Sequence, residues 1–489
     1  MSTVQRALAY SFIERYALIA ISLASNIILA RLLTPEQIGI YSVSLAVIGV
    51  AQVLRDFGIG NFLIQLTDVK PEHIRTAFGI SLVIGVVLFG VVYVAAPLAG
   101  DYYGEPAMVL TIRISALNFL VLPFCSISVA LLRRAMEFRR LVFVTLAATL
   151  AGFVVTIALA YAGYGPNSMA IGALAGNVAT GIGSRLARRD GTTFLPSLSE
   201  WRALISFGAQ SSLTSIVITV CADVNDLAIG KILGFTPVAI ISRAQGLMFL
   251  FSRDLMAAIR NVAYPAYAQA HRNGDHLESH YVDSVTAVTV LAWPFYGFCS
   301  LYAFETLRLL FGRQWDAAVP LVSWFCAAGA VAATTNLITT LMLAIGKIGL
   351  VTRTELLLQP FRAGVIILAA VLFESLIACA VAYLIATVAS VPVLYWFKQK
   401  CIATNIVSLR HGLSKSLQVT CATLAVPFAV VVHAGVTRAE PIALPLFVGV
   451  AIWTAVAWLI ALSALKHPLA ANEHFQRIEA RVLRVLGRS

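Results

Sequence analysis

Between residues 77 and 97 the chain reads AFGISLVIGVVLFGVVYVAAP, a run without any acidic or basic side chain. A helix needs roughly 20 consecutive apolar residues to cross the hydrocarbon core of a bilayer. This run is apolar throughout, whereas a strand of a membrane barrel alternates apolar and polar residues. The stretch therefore predicts a transmembrane helix.

Similar runs recur along the whole chain of 489 residues. Hydrophobic residues make up 60% of it and charged residues 12%, and the mean hydropathy is +0.87. A soluble protein carries about 25% charged residues, so this chain cannot cover a water-facing surface. A window of about 19 residues predicts an all-α polytopic membrane protein with fourteen transmembrane helices. The predicted spans are 10–33, 38–54, 77–97, 108–132, 141–162, 169–183, 204–221, 238–251, 285–304, 317–345, 350–373, 376–397, 417–433 and 442–465.

The basic residues are unevenly divided between the predicted loops. With the N-terminus placed in the cytoplasm, most of the 35 lysines and arginines fall on the cytoplasmic side. Because basic loops stay on that side of a membrane, both termini are predicted to be cytoplasmic. The net charge of +12 then faces anionic lipid headgroups, and no nucleic-acid partner is expected. The opposite side holds only Arg31, Lys231, Arg308, Arg313 and Arg438.

A short pattern repeats after about 200 residues, as is typical of transporter architecture. Residues 28–35 read ILARLLTP and residues 229–237 read IGKILGFTP, and each proline opens the next predicted span. We therefore expect two six-helix lobes related by an internal repeat, followed by two further helices and a basic amphipathic tail. The expected boundaries are 1–190 and 191–400 for the lobes, 401–489 for the remainder, and 475–488 for the tail.

Four stretches are similar to those of a known family. They are LARLLTPEQIGIY at 29–41, RDFGIG at 55–60 with LIQ at 63–65, LLRRAMEFRR at 131–140, and SRAQ at 242–245 with FGRQW at 311–315. With these stretches the sequence resembles the polysaccharide transporters, the Wzx-type O-antigen and exopolysaccharide flippases. That family belongs to the multidrug/oligosaccharidyl-lipid/polysaccharide superfamily. The resemblance extends over nearly the full chain in the same order.

The resemblance implies a function and a location. The expected substrate is an undecaprenyl-pyrophosphate-linked oligosaccharide, moved from the inner to the outer leaflet of a bacterial inner membrane by alternating access. Besides membrane lipids, a polysaccharide polymerase and a chain-length regulator are the implied partners. We expect a monomeric carrier without a cofactor, and coupling to a proton or a sodium ion is left open.

Arginines inside predicted spans or just beyond their ends are the candidate headgroup ligands. Arginine suits phosphate because its guanidinium is forked and permanently charged. A charged side chain within a transmembrane span is unfavourable by at least about 2.5–3.5 kcal/mol, so its presence there indicates a structural or functional role. Arg243 is the leading candidate, and Pro360 predicts a break of the eleventh helix beside Arg362. The alternative is a snorkelling side chain or a local pair with Glu14 for Arg15, and a structural ion pair for Arg55 and Arg243. For Arg253 the alternative is an ordinary positive-inside charge. The candidates are Arg15, Arg55, Arg243, Arg253 and Arg362.

Two acidic residues are the candidate coupling-ion ligands. Asp223 and Asp226 cluster with Asn225 at the predicted outer end of the seventh helix, where they could bind a proton or a sodium ion. The simpler interpretation is that the cluster ends the helix in a polar loop. The sequence leaves both interpretations open.

Other functions compete with that of a polysaccharide flippase. A drug or cation antiporter of the same superfamily should line its cavity with carboxylates, whereas the deep charges here are mainly basic. A lipid II flippase is a further alternative within the superfamily. A membrane-bound polysaccharide polymerase or glycosyltransferase needs catalytic carboxylates and a large outer loop, and the sequence shows no motif of that kind. We therefore expect a transporter and not an enzyme.

Overall fold

The computed structural model describes residues 3–56, 59–66, 69–188, 195–197, 199, 201–435 and 441–471. Side chains are described for these residues except 3–15, 50, 56, 61, 65, 202–215 and 471. Every regular element within these ranges is a helix, so the predicted all-α class is confirmed.

The helices of the first half of the chain follow one another through short connections. They are α1 (Thr3–Leu32), α2 (Pro35–Asp56), α3 (Ile59–Gln65), α4 (Pro71–Tyr103), α5 (Pro106–Ala116), α6 (Asn118–Arg134), α7 (Phe138–Tyr161), α8 (Pro166–Ala187) and α9 (Trp201–Ile232).

The second half contains further α-helices and three shorter irregular segments. The helices are α10 (Phe235–Phe249), α11 (Met256–Asn273), α12 (Leu277–Leu301), α13 (Ala303–Phe311), α14 (Val319–Ala333), α15 (Ile338–Ala344), α16 (Ile348–Phe373), α17 (Leu376–Gln399), α18 (Ile406–Ala434) and α19 (Leu444–Ala464). A π-helical turn at Leu250–Leu255 joins α10 to α11, and 3-10 turns occupy Arg313–Ala318 and Pro468–Ala471.

Within the described residues, ten helical stretches are long and apolar enough to cross a membrane. The other predicted spans, which are the first, second, sixth and seventh, fall on α1, α2, α8 and α9. The chain is therefore a multi-pass membrane protein. The count of fourteen spans and the cytoplasmic position of both termini stay predictions.

The chain divides into two compact units, Met1–Ala239 and Ile240–Ser489. The division falls inside α10. The lobes expected at 1–190 and 191–400 rest on the sequence repeat alone and stay a prediction. The amphipathic tail expected at 475–488 lies outside the described residues.

The two repeated sequence stretches meet in the first unit. Thr34 and Gln37 form a capping box at the start of α2, because each backbone N–H donates to the other side chain, at 3.1 Å and 3.2 Å. Gly39, on the first turns of this helix, lies so close to Phe235 that a Cβ would stand 2.0 Å from the Phe235 carbonyl oxygen. Any side chain at residue 39 would force α2 and the start of α10 apart.

Several predicted spans differ from the observed helices, and four of them show the kinds of difference. The fourth is interrupted at Leu117, between α5 and α6, and the tenth at 334–337, between α14 and α15. The seventh continues to Ile232, and the eighth continues through the π-helical turn into α11. Hydropathy is averaged over a window, so it registers neither a local interruption nor a polar extension of a helix.

Candidate functional site

A polar cavity of about 320 Å³ lies within the second unit. Its walls are the end of α10 with the π-helical turn, α11, the α14–α15 pair, α16 and α17. Ligand pockets usually enclose about 300–1,000 Å³, so this cavity is large enough for a small headgroup. Its charged lining residues are Arg253, Arg260, Glu355 and Arg362.

Arg362 reaches the cavity from α16. Its Nε donates to Ser390 Oγ of α17 at 3.2 Å, and no carboxylate among the described residues forms an ion pair with it. The guanidinium is thus held by a neutral partner. The predicted break beside Arg362 is wrong, because α16 runs through Pro360 without interruption. The proline removes only one helical hydrogen bond, which the rest of the helix tolerates.

Arg253 and Arg260 come from the α10–α11 run. Leu250–Leu255 forms a π-helical turn, and such turns are frequent at functional sites. Arg253 Nε donates to Asp254 Oδ1 at 3.1 Å, and 71% of the Arg253 side chain is exposed. Arg260 is half-buried further along, in α11. Arg253 is therefore partly neutralised and accessible, whereas Arg260 lies deeper in the protein.

The wall formed by α14 and α15 is an interrupted helix. At the interruption, the Thr334 amide donates to the Val331 carbonyl at 3.1 Å and the Ile338 amide donates to the Thr335 carbonyl at 2.9 Å. In a regular α-helix these two amides would donate one residue further back. The carbonyls of Ala330 and Thr334 are consequently left without their helical donors.

Two aromatic side chains supply the missing donors. Trp293 Nε1 of α12 donates to the Ala330 carbonyl at 2.9 Å, and the Tyr395 hydroxyl of α17 donates to the Thr334 carbonyl at 2.9 Å. The Tyr281 hydroxyl lies 3.5 Å from the same Thr334 oxygen. Irregular backbone at membrane depth persists where its polar groups have partners or line a cavity. The interruption is therefore stabilised by hydrogen bonds from the side chains of neighbouring helices.

The interruption presents neutral polar side chains to the cavity. Thr335 and Asn336 line it together with Thr339 of α15. Asn336 Nδ2 is buried and makes no hydrogen bond with any described protein atom. A buried donor without a partner costs about 1–3 kcal/mol, so a ligand oxygen at this point would be stabilising.

Two of the five predicted headgroup arginines, Arg253 and Arg362, line this cavity. Sequence reasoning did not assign Arg260, Glu355 or Asn336 to the site. The position of Glu355 was predictable from the sequence, because residues seven apart on a helix lie on the same face and Arg362 is seven positions further along. The position of Asn336 was not predictable, because a hydropathy average does not detect the helix interruption in which Asn336 lies.

Arg243 is not among the residues that line the cavity. Its guanidinium carbon lies 4.8 Å from the ring centre of Trp315 and 5.1 Å from that of Phe311. The contact joins two of the stretches that resemble the flippase family, 242–245 and 311–315. Stacking on two rings favours a packing role for Arg243. Its role as a headgroup ligand stays a prediction.

The two remaining arginines belong to the first unit. Arg55 is half-buried in the last turn of α2. Arg15 lies in α1 by its backbone, but its side chain falls outside the described residues. For both residues, binding of a headgroup stays a prediction.

Asp223 and Asp226 lie inside α9, which continues to Ile232. The interpretation of a polar loop that ends the helix is therefore wrong. Asp223 Oδ2 is buried without a hydrogen-bond partner and packs on Gly49 of α2, where a Cβ would stand 1.7 Å from it. No group of three metal-ligating side chains occurs among the residues that the structure describes. Coupling-ion binding by Asp223 and Asp226 stays a prediction.

The fold and this site define a class of protein, a multi-pass helical membrane protein that encloses a cationic cavity beside an interrupted helix. The profile of the family described as polysaccharide biosynthesis protein matches residues 28–320. The chain belongs to this family.

Two relatives agree with that assignment, and a solved structure shares the fold. The lipopolysaccharide biosynthesis protein WzxC of Escherichia coli (strain K12) is 25% identical over 345 residues, which cover 69% of each chain. The succinoglycan biosynthesis transport protein ExoT of Rhizobium meliloti (strain 1021) is 25% identical over 324 residues, which cover 65% of each chain. The lipid II flippase MurJ in an inward closed conformation superposes with a TM-score of 0.75 at 12% identity, over 95% of this chain and 99% of its own. This likeness to MurJ shows a shared fold. The resemblance to the polysaccharide transporters of the superfamily is confirmed.

Proposed function

We propose that the protein is a flippase for an undecaprenyl-pyrophosphate-linked oligosaccharide in the bacterial inner membrane. The observation that carries the proposal is the cavity of the second unit, where three arginines stand beside the polar interruption at 334–337. The names of WzxC and ExoT, which refer to lipopolysaccharide and succinoglycan biosynthesis, support the same class of cargo.

The cavity suits a diphosphate that is attached to a sugar. Guanidinium groups such as that of Arg362 offer forked donors to phosphate oxygens. The lining carboxylate, Glu355, is engaged by Gln359, whose Nε2 donates to Glu355 Oε2 at 2.8 Å. An anion bound at Arg362 would neutralise a charge that is unfavourable at membrane depth. The excess of arginine therefore favours an anionic headgroup.

In this proposal only the headgroup enters the protein, while the polyprenyl tail stays in the bilayer. By the predicted topology Arg253 and Arg260 face the cytoplasmic side, so the headgroup enters from the cytoplasmic leaflet. Alternating access then reopens the cavity to the opposite side. The coupling ion, the monomeric state, and association with a polymerase and a chain-length regulator stay predictions.

The alternatives fit the cavity less well. An antiporter for cationic drugs needs a carboxylate-rich lining, and the described lining holds three arginines and one glutamate. A polymerase or glycosyltransferase needs paired catalytic carboxylates, and Glu355 is the one carboxylate among the described lining residues. A lipid II flippase shares the diphosphate chemistry, and here the names of the sequence relatives favour a polysaccharide precursor.

Transport by the full-length protein in proteoliposomes tests the class of substrate. A fluorescent undecaprenyl-pyrophosphate oligosaccharide in the inner leaflet is followed by its exposure to a membrane-impermeant quencher outside. We expect the protein to raise the rate of exposure above that of protein-free vesicles. Vesicles loaded with a cationic dye serve as the second arm and should not lose dye faster. Dye efflux without lipid translocation would contradict the proposal and favour the antiporter.

A further inference from the structure

The backbone of the interruption at 334–337 is fixed by side chains that come from two other helices. Trp293 of α12 and Tyr395 of α17 supply hydrogen bonds to the two carbonyls that the interruption frees. The backbone at Thr334, two residues before Asn336, therefore has a defined position before any ligand binds. Preorganisation of this kind improves affinity, because little conformational entropy is lost on binding.

The lining of the cavity contains two kinds of polar group. One kind is cationic and consists of Arg253, Arg260 and Arg362. The other kind is neutral and includes Thr335 and Asn336 of the interruption, Thr339 of α15 and Thr387 of α17. Guanidinium groups recognise phosphate, whereas amides and hydroxyls match the neutral donors and acceptors of a sugar. A ligand that carries both kinds of group fits this lining better than a phosphate alone.

Asn336 is distinguished among the neutral residues by its unused donor. Its Nδ2 is buried and forms no hydrogen bond with a described protein atom, and Asn336 is one of the residues that line the cavity. An amide nitrogen has two hydrogens to donate and cannot bind a cation. The group can therefore donate to a ligand oxygen, such as a hydroxyl or a ring oxygen of a sugar whose diphosphate is held by the arginines.

We propose that Asn336 is a specificity-determining residue that binds the sugar nearest to the diphosphate, by donating from Nδ2 to an oxygen of that sugar. Trp293 and Tyr395 act as positioning residues, because they hold Asn336 in place through the backbone. This inference rests on the proposed function, since it requires a saccharide joined to a diphosphate that the arginines hold.

Binding of two lipids to the full-length protein in lipid nanodiscs tests the inference. One is the undecaprenyl-pyrophosphate oligosaccharide extracted from cells that lack this gene, and the other is bare undecaprenyl pyrophosphate. We expect Asn336→Ala to weaken binding of the oligosaccharide lipid about tenfold, the effect of one lost hydrogen bond, and to leave the bare lipid unaffected. Asn336→Gln keeps the amide and should restore part of the affinity. Arg362→Gln should weaken binding of both lipids.

The contrary outcomes separate the inference from the proposed function. Unchanged affinity of Asn336→Ala for the oligosaccharide lipid, or an equal loss for both lipids, would overturn the role of Asn336. If Arg362→Gln still weakens binding of both lipids in that case, the proposed function stands without the inference. Binding of neither lipid by the wild type, or unchanged binding by Arg362→Gln, would overturn the proposed function and the inference with it.

Discussion

The hydroxyl of Tyr395 lies 2.9 Å from the carbonyl oxygen of Thr334 and donates to it where α14 ends. Tyr395 stands on α17, the helix that also carries Ser390, the partner of Arg362. Thr334 stands two residues before Asn336. One hydrogen bond thus joins the wall that positions the arginine to the wall that presents the amide.

Replacing Tyr395 by phenylalanine should impair transport more than it impairs folding. The substitution removes only the hydroxyl and leaves the Thr334 carbonyl with the more distant hydroxyl of Tyr281. We expect a loss of stability of about 1–3 kcal/mol, together with a fall in the translocation rate of the lipid-linked oligosaccharide. Thermal unfolding and translocation, both in the same lipid, measure the two effects.

Tyr302→Phe is the matched control for this variant. The Tyr302 hydroxyl donates to the Pro427 carbonyl at 3.0 Å, and Tyr302 is buried in the same unit but does not line the cavity. A similar loss of stability is expected, with translocation kept once the folded fraction is matched. Equal losses of transport in the two variants would show that the Tyr395 hydroxyl has no special link to the cavity.

Lys398 and Glu278 form a buried ion pair at one end of α17. Lys398 is 0% exposed, and it also donates to Thr404 Oγ1 at 3.1 Å, while the other oxygen of Glu278 accepts from the Asn405 amide at 2.9 Å. Removing one partner of a buried pair costs about 3–5 kcal/mol, because the other charge is left uncompensated. Lys398→Met should therefore lower the unfolding temperature strongly.

A double-mutant cycle tests the coupling within this pair. Glu278→Gln alone should also be destabilising, since it leaves the Lys398 ammonium buried without its carboxylate. Lys398→Met combined with Glu278→Gln should cost clearly less than the sum of the two single changes. Additive losses of the free energy of unfolding would indicate that the two residues act independently.

Arg243 and Arg362 should give opposite patterns in stability and binding. Arg243→Lys keeps a charge but loses the planar group that stacks on Trp315 and Phe311. We expect it to lower stability by about 2 kcal/mol while the affinity for undecaprenyl pyrophosphate is unchanged. Arg362→Gln should lower that affinity. Loss of affinity in a folded Arg243→Lys variant would return Arg243 to the set of headgroup ligands.

His467 should make the stability of the protein depend on pH. It lies beyond the end of α19 and is 2% exposed; its Nε2 lies 3.3 Å from Ser416 Oγ, and its Nδ1 accepts from the Leu469 amide at 3.2 Å. Burial and the charge of Lys415 lower the pKa of His467 to about 4. In the unfolded chain the ordinary pKa is about 6.5, so between these values only the unfolded chain takes up the proton.

The stability that neutral His467 contributes is therefore present above about pH 6.5 and is lost as the pH falls toward 4. Between pH 7 and pH 5 we expect the wild type to lose about 1–2 kcal/mol more than His467→Gln. Chemical unfolding in detergent at the two pH values measures the difference. Parallel pH profiles of the wild type and the variant would refute this assignment.

The fold was predictable from the sequence because few backbone conformations are stable in lipid. A backbone in hydrocarbon must satisfy its own hydrogen bonds, so long apolar runs such as 77–97 become helices. The interruptions were not predictable in the same way. The interruption at 334–337 depends on hydrogen bonds from Trp293 and Tyr395, which are distant in the sequence. No local sequence pattern predicts such partners.

The candidate site was predictable in part, for a related reason. A charge in an apolar span is unfavourable, and this consideration selected Arg362, which lines the cavity. Arg253 also lines the cavity, but it lies two residues beyond the predicted span 238–251. The same consideration selected Arg243, which the structure places against two aromatic rings. The unfavourable energy of a charge in the membrane therefore identifies buried charged residues, whereas the packing of the neighbouring helices decides which of them face the cavity.

The measurement that tests the central claim most directly is translocation by Arg362→Gln in proteoliposomes, with Arg353→Gln as the matched control. Arg353 is exposed on the same helix, α16, and does not line the cavity. Arg362→Gln is expected to reduce translocation of the undecaprenyl-pyrophosphate oligosaccharide at least about tenfold, because a charge-assisted contact to phosphate is lost. Arg353→Gln should translocate as the wild type does. Wild-type rates for a folded Arg362→Gln protein would contradict the claim that this cavity binds the headgroup.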